Sequence, residues 1–194
     1  RGGADAAQLR VERRNVDGRT ALVVLYPADD IVYSERGRGS SQTTLRVRSD
    51  GTFYGDRDGG ERVTIRGRGD GTEAHADLRI LVPAGRSLDL KLGVGSVTAN
   101  GIDGDLDIDV GAASVETGST RGDLHIDTGS GRVTVADAEG DVLVDTGSGS
   151  VDLSNVRGET LHVDTGSGAV DGSGITASSV LVDTGSGSVT LSRL

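Results

Sequence analysis

The tetrad Asp-Thr-Gly-Ser recurs at Asp127, Asp145, Asp164 and Asp183, at intervals of 18, 19 and 19 residues. A period this short leaves room for one small structural unit, laid down again and again. Such a unit cannot bury a hydrophobic face by itself, so each copy must stack on its neighbours. The register extends backward to Asp109-Val-Gly-Ala and Lys91-Leu-Gly-Val, each 18 residues earlier, which aligns six coils.

Within each coil, apolar residues alternate ahead of the Asp column: Leu106 and Ile108, Leu124 and Ile126, Val142 and Val144, Leu161 and Val163, Val180 and Val182. Period-two alternation places them on one face of a strand. Asp107, His125, Leu143, His162 and Leu181 lie between them and should face outward. After the glycine corner a second strand starts at Val115, Val133, Val151, Val170 and Val189, followed by a polar turn. Two short strands and two corners use up the period, with nothing left for a helix. The pattern predicts an all-β, single-chain β-solenoid with a regular body over 88–194. On this reading the Gly column supplies backbone angles that a Cβ forbids, and the corner Asp and Ser bond turn amides.

Residues 1–87 are less regular but still β-like: Leu9–Glu12, Ala21–Tyr26, Thr44–Arg48, Arg62–Arg66 and Asp77–Val82 read as strands between Gly- and Asp-rich joints. This portion is expected to cap one end of one continuous body. It holds all four aromatics: Tyr26, Tyr33, Phe53 and Tyr54. They are candidates for cap packing or for a binding or interface patch. The 32 glycines and the absence of Cys, Met and Trp argue against a thick core and fit a thin stack of Val, Leu and Ile. Without Cys there are no disulfides and no thiolate metal site. No run approaches the length of a membrane-spanning helix. The chain begins at Arg1 without Met, as a processed secreted protein would.

Leu78-Arg-Ile-Leu-Val-Pro-Ala-Gly, then Leu88-Asp-Leu-Lys-Leu-Gly-Val-Gly-Ser-Val, then repeated Asp-Thr-Gly-Ser-Gly-x-Val carry a resemblance. Over residues 77–194 the chain resembles the bacterial adhesin-type β-strand-repeat family of surface or secreted proteins. The resemblance implies a single-chain β-solenoid and an envelope or extracellular location. It brings no catalytic residues.

Asp-Thr-Gly-Ser is also the local motif of aspartic proteases. That chemistry needs two aspartates sharing a proton, one from each lobe around a cleft. Here four copies lie one coil apart on one edge of a stack, so no enzymatic activity is expected. Asp127, Asp145, Asp164 and Asp183 must still offset their mutual repulsion. Bonds to corner amides, solvent exposure or a calcium ladder would each do so. His125 and His162 share a column but are two coils apart, too far to bind one ion. No cofactor is expected. Residues 1–87 carry 15 Arg against 13 acids, and residues 88–194 carry five basic residues against 17 acids, for a net charge of −10 overall. The acidic half disfavours nucleic acid, and the asymmetry favours head-to-tail contact between copies.

Repeat-type strand runs to the final residues, so Val189, Leu191, Arg193 and Leu194 are candidates for one assembly end, with Leu9 and Val11 for the other. The expected function is that of an extracellular or cell-surface structural, adhesin-like protein. It associates end to end as a homo-oligomer or homopolymer, up to a filament. The alternative is a monomeric envelope domain that binds a ligand or senses stress through Tyr26, Tyr33, Phe53 and Tyr54.

Overall fold

Alternating Leu, Ile and Val in the repeats form strands whose apolar faces turn inward and whose backbones pair with the next coil. In the computed structural model, which describes residues 10–16, 19–26, 28–33, 42–48, 53 and 59–194, this pairing builds one parallel sheet wound into coils of about 18 residues, with about six turns. No helix is present among the described residues. The strands are β7 (Leu88–Asn100), β8 (Leu106–Arg121), β9 (Leu124–Ser130), β10 (Val133–Glu139), β11 (Val142–Ser148), β12 (Val151–Ser167), β13 (Val170–Ser173), β14 (Thr176–Ser186) and β15 (Val189–Ser192). Every pairing among them is parallel and in the register set by the repeat, as in Ile108 with Ile126, Ile126 with Val144, Val144 with Val163 and Val163 with Val182. β8 runs through both the glycine corner and the polar turn as a single strand of 16 residues, and β12 runs through the polar turn as one of 17, each longer than the two short strands per coil expected from the alternation.

The core is a narrow column. Leu106, Ile108, Leu124, Ile126, Val142, Val144, Leu161 and Val163 are all at most 2% exposed. Thr128, Thr146 and Thr165 are buried in the same column where the second coil has Val110. The Thr165 hydroxyl donates to the Gly149 carbonyl at 3.4 Å, whereas those of Thr117, Thr120, Thr128 and Thr146 have no partner. Unpartnered buried hydroxyls cost stability.

Two glycine columns are needed for reasons different from the one expected. A Cβ on Gly129, Gly147, Gly166 or Gly185 would lie 2.6–2.8 Å from the carbonyl oxygen of the equivalent glycine one coil earlier. One on Gly149, Gly168 or Gly187 would overlap the oxygen of Gly131, Gly149 or Gly168. None of these seven has a left-handed φ, so close approach between coils, not a forbidden backbone angle, excludes a side chain there. A left-handed φ between 52° and 67° recurs at the polar turn, at Gly101, Ser119, Asp137, Asn155, Gly174 and Arg193, and glycines with φ between 115° and 146° stand at Gly95 and Gly131 in the glycine corner and at Gly104, Gly122 and Gly140 beyond the polar turn.

The chain divides into two compact units, residues 1–79 and 80–194. The first contains an antiparallel pair, β1 (Arg10–Val16) with β2 (Arg19–Leu25). It also contains a four-stranded sheet ordered β4 (Gln42–Val47), β5 (Glu61–Arg66), β3 (Asp30–Val32), β6 (Thr72–Glu73). Val23, Ile31, Leu45 and Phe53 are its buried apolar residues. The strand expected over Asp77–Val82 does not form: the segment finds no pairing partner, and Leu78, Ile80 and Leu81 stay exposed.

Candidate functional site: the acidic column and the sixth coil

The parallel register sets Asp109, Asp127, Asp145, Asp164 and Asp183 beside one another on the outer surface of β8, β9, β11, β12 and β14. Lys91 on β7 heads the column. Its Nζ lies 3.1 Å from Asp109 Oδ2 and 3.6 Å from Asp89 Oδ1. Partial burial alone would lower the lysine's pKa. The Asp109 hydrogen bond and the charges of Asp109, Asp89 and Asp107 outweigh it, so the net shift is upward. The Asp127 carboxyl is raised from its ordinary pKa, first by partial burial, then by the charges of Asp109 and Asp145 on either side. His125, whose Nδ1 lies 3.7 Å from Asp107, opposes that rise.

The expected amide bonds are made by a different set of acids. The Asp123 amide donates to Asp105 Oδ1 and the Asp141 amide to Asp123 Oδ1, each at 3.2 Å. The amides of Glu159 and Thr160 both donate to Asp141 Oδ1 at 2.9 Å. The tetrad Asp residues lie within strands, where their side chains face away from the backbone edge, and the tetrad Ser side chains bond no turn amide among the described residues. The Thr-to-Gly-carbonyl contact is the side-chain bond the tetrad does make. The tetrad aspartates are thus spaced one coil apart along one outer column. Among the described residues, no group of three or more His, Cys, Asp or Glu is arranged to hold a metal ion.

The sixth coil differs from the inner ones. Val180 is 38% exposed and Val189 43%, at positions that are at most 2% exposed in coils two to five. Val182, Thr184 and Leu191 are partly open, while Leu181, Arg193 and Leu194 are exposed. The outer edges of β14 and β15 carry no strand partner among the described residues. At the opposite edge of the stack, β7 pairs with β8 alone among the described residues. Leu88, Leu90 and Leu92 on β7 are half-buried where their counterparts in the second coil are buried.

Of the residues expected at that second end, Val11 is exposed in the antiparallel pair β1–β2, not on a coil, and Leu9 lies outside the described residues. Sequence reasoning missed Leu88, Leu90, Lys91 and Leu92 as the edge. The signal was present: Lys91 is the single cation at the head of an Asp column. Of the aromatics, Phe53 is buried. Tyr26 is half-buried, and that burial raises its pKa against a backbone hydrogen bond with Ala76. The Tyr33 ring is 6.3 Å from that of His75. Tyr54 lies outside the described residues. Tyr26 and Tyr33 are close enough to interact.

No helix among the described residues is long and apolar enough to cross a membrane, which leaves strand-based crossing untouched. In-register parallel coils with one buried apolar column define the class, a β-solenoid. Residues 76–194 match the model of the Toastrack DUF4097 family, and the chain belongs to that family, an uncharacterised domain family. Comparison with curated proteins and with solved structures gave no match.

Proposed function

We propose that this chain is a non-enzymatic structural module of adhesin type, working at the cell surface or outside the cell and associating end to end. One observation carries the reading. The core column that is sealed in the inner coils opens in the sixth, where Val180 and Val189 face solvent beside an unpaired parallel edge. Such an edge is a template for another strand. The acidic outer face supports an extracellular setting only through charge-based solubility. The location itself comes from the adhesin-type resemblance.

The test is light scattering after size exclusion, run over a wide protein concentration range at low and high salt, with negative-stain images of the same samples. Mass rising with concentration, with end-on particles in the images, is the expected result. A strict monomer under every condition rejects the reading.

A further inference from the structure

The outer sheet face of the inner coils carries two rows of side chains that end-to-end association does not use. In register along the stack, His125, Leu143 and His162 make one row. Asp127, Asp145 and Asp164, two residues further along each strand, make the other. All six belong to the unit 80–194 and to coils stacked on both sides, so their exposure owes nothing to where the stack begins or stops. Leu143 is 38% exposed, a large apolar side chain left open between two half-buried imidazoles. Asp127, Asp145 and Asp164 are exposed and form no ion pair with Lys or Arg among the described residues, since Lys91 is held at the head of the column by Asp109 and Asp89. Cations brought by a partner would offset the repulsion along that row. The complement of this face is an apolar stripe with a cationic stripe beside it.

The spacing of the rows selects the partner's conformation. Successive carboxylates lie about 4.8 Å apart along the stack, and the outer two about 9.6 Å. On an α-helix rising about 1.5 Å per residue, cations at i, i+3 and i+7 stand on one side, separated along the axis by about 4.5 and 10.5 Å from the first. In an extended chain the residues of one face recur about every 6.7 Å and are out of step by the third carboxylate. The two rows themselves lie roughly 7 Å apart, a separation that adjoining stripes of one helix can span. We propose that this face docks a cationic amphipathic helix of a partner protein, laid along the stack, with its basic side chains over Asp127, Asp145 and Asp164 and its apolar side chains on Leu143 between His125 and His162. A single helix on a flat face covers less than a standard interface, so the complex is weak and steered by charge. The proposal does not depend on whether the chain associates end to end.

The probe is a fluorescently labelled peptide of Leu and Lys, about 18 residues long, with its lysines and leucines on adjoining stripes of a helix. Its control has the same composition in strict Lys-Leu alternation, the pattern of a strand. Anisotropy titrations with the full chain at low salt should give saturable binding of the helical peptide in the micromolar range, weakening as salt is added. The alternating peptide should bind at least about threefold more weakly, because its cations miss the carboxylate spacing. Replacing all three carboxylates (Asp127→Asn, Asp145→Asn and Asp164→Asn together) should weaken the helical peptide about tenfold, the loss of three exposed ion pairs. Leu143→Ser should weaken it roughly threefold and leave the salt dependence unchanged. Circular dichroism of each variant checks that the fold is retained, and the comparison of the two peptides on the wild-type chain needs no variant. Absence of binding at low salt overturns the proposal. Equal binding of the two peptides reduces the face to a diffuse cloud of negative charge and overturns it as well. Binding unchanged by Leu143→Ser, or by the three Asn replacements in a folded variant, places the helix elsewhere and has the same consequence.

Discussion

Thr146 fills a core position with a hydroxyl that finds no partner, although Val110 shows that valine fits the same column. Thr146→Val keeps the shape and removes the unpaired group, so we expect it to stabilise the protein by about 1 kcal/mol in denaturant unfolding. Asp127 is a second site that works against the native state, first through partial burial of its charge and then through the charges of Asp109 and Asp145. Its folded pKa is raised, so the native state binds more protons than the unfolded chain as the carboxyl titrates. Its unfavourable contribution is complete above the folded pKa and fades as pH falls through it toward the unfolded value. Asp127→Asn should therefore raise the melting temperature at neutral pH, and the gain should shrink through the carboxylate range and at high salt. An equal gain at every pH would show that the half-buried, repelled charge is not the cause. Glycine offers the converse test. Gly149→Ala sets a Cβ onto the Gly131 backbone and should abolish cooperative folding, while Gly118→Ala meets only the Asn100 side chain, which can move. Thermal melts of the pair should separate them clearly.

Each coil contacts only its neighbours, and the consequences belong to the strand and the coil. Excising residues 142–160 removes one whole coil and joins Asp141 to Leu161, restoring the junction seen at Asp123–Leu124. We expect the shortened chain to keep its far-ultraviolet spectrum and unfold at a lower temperature, since stability in such stacks sums over neighbours. Loss of the spectrum would mean that the coils are not interchangeable. This is also the scale at which the sequence was most readable. Alternation at Leu124 and Ile126 gave inward faces, and the 18- and 19-residue offsets gave the pairing partners, because parallel stacking turns sequence spacing directly into contact. The role of each tetrad residue was less readable. Asp127 looked like a turn-bonding residue because Asp often is one. That work falls to Asp105, Asp123 and Asp141, one corner away, and only the strand bounds reveal it. Asp77–Val82 had the alternation of a strand, but alternation cannot say whether a neighbour is there to pair with it. In the candidate interface, Val189 and Leu191 were legible as repeat strand.

At the scale of the whole molecule, two units with different charge balance share one chain, and the solenoid bears most of the acid. The body over 88–194 carries 17 acids against five bases, much of it in columns one coil apart. Added monovalent salt should raise the unfolding midpoint of the intact protein by screening those columns, a trend differential scanning calorimetry would show. Unfolding insensitive to salt would mean that the columns are neutralised otherwise. The period also lengthens by one residue at a single kind of place. Between Arg157 and Leu161 the chain inserts an extra residue, and the Asp141 carboxylate receives both the Glu159 and the Thr160 amides where the earlier corners offer one. That corner works as an expansion joint: length is added on the outside while every core position keeps its phase. A guest segment spliced between Glu159 and Thr160 would then ride at a fixed height on a rigid rod, with the repeat number setting the reach and the splice setting the cargo.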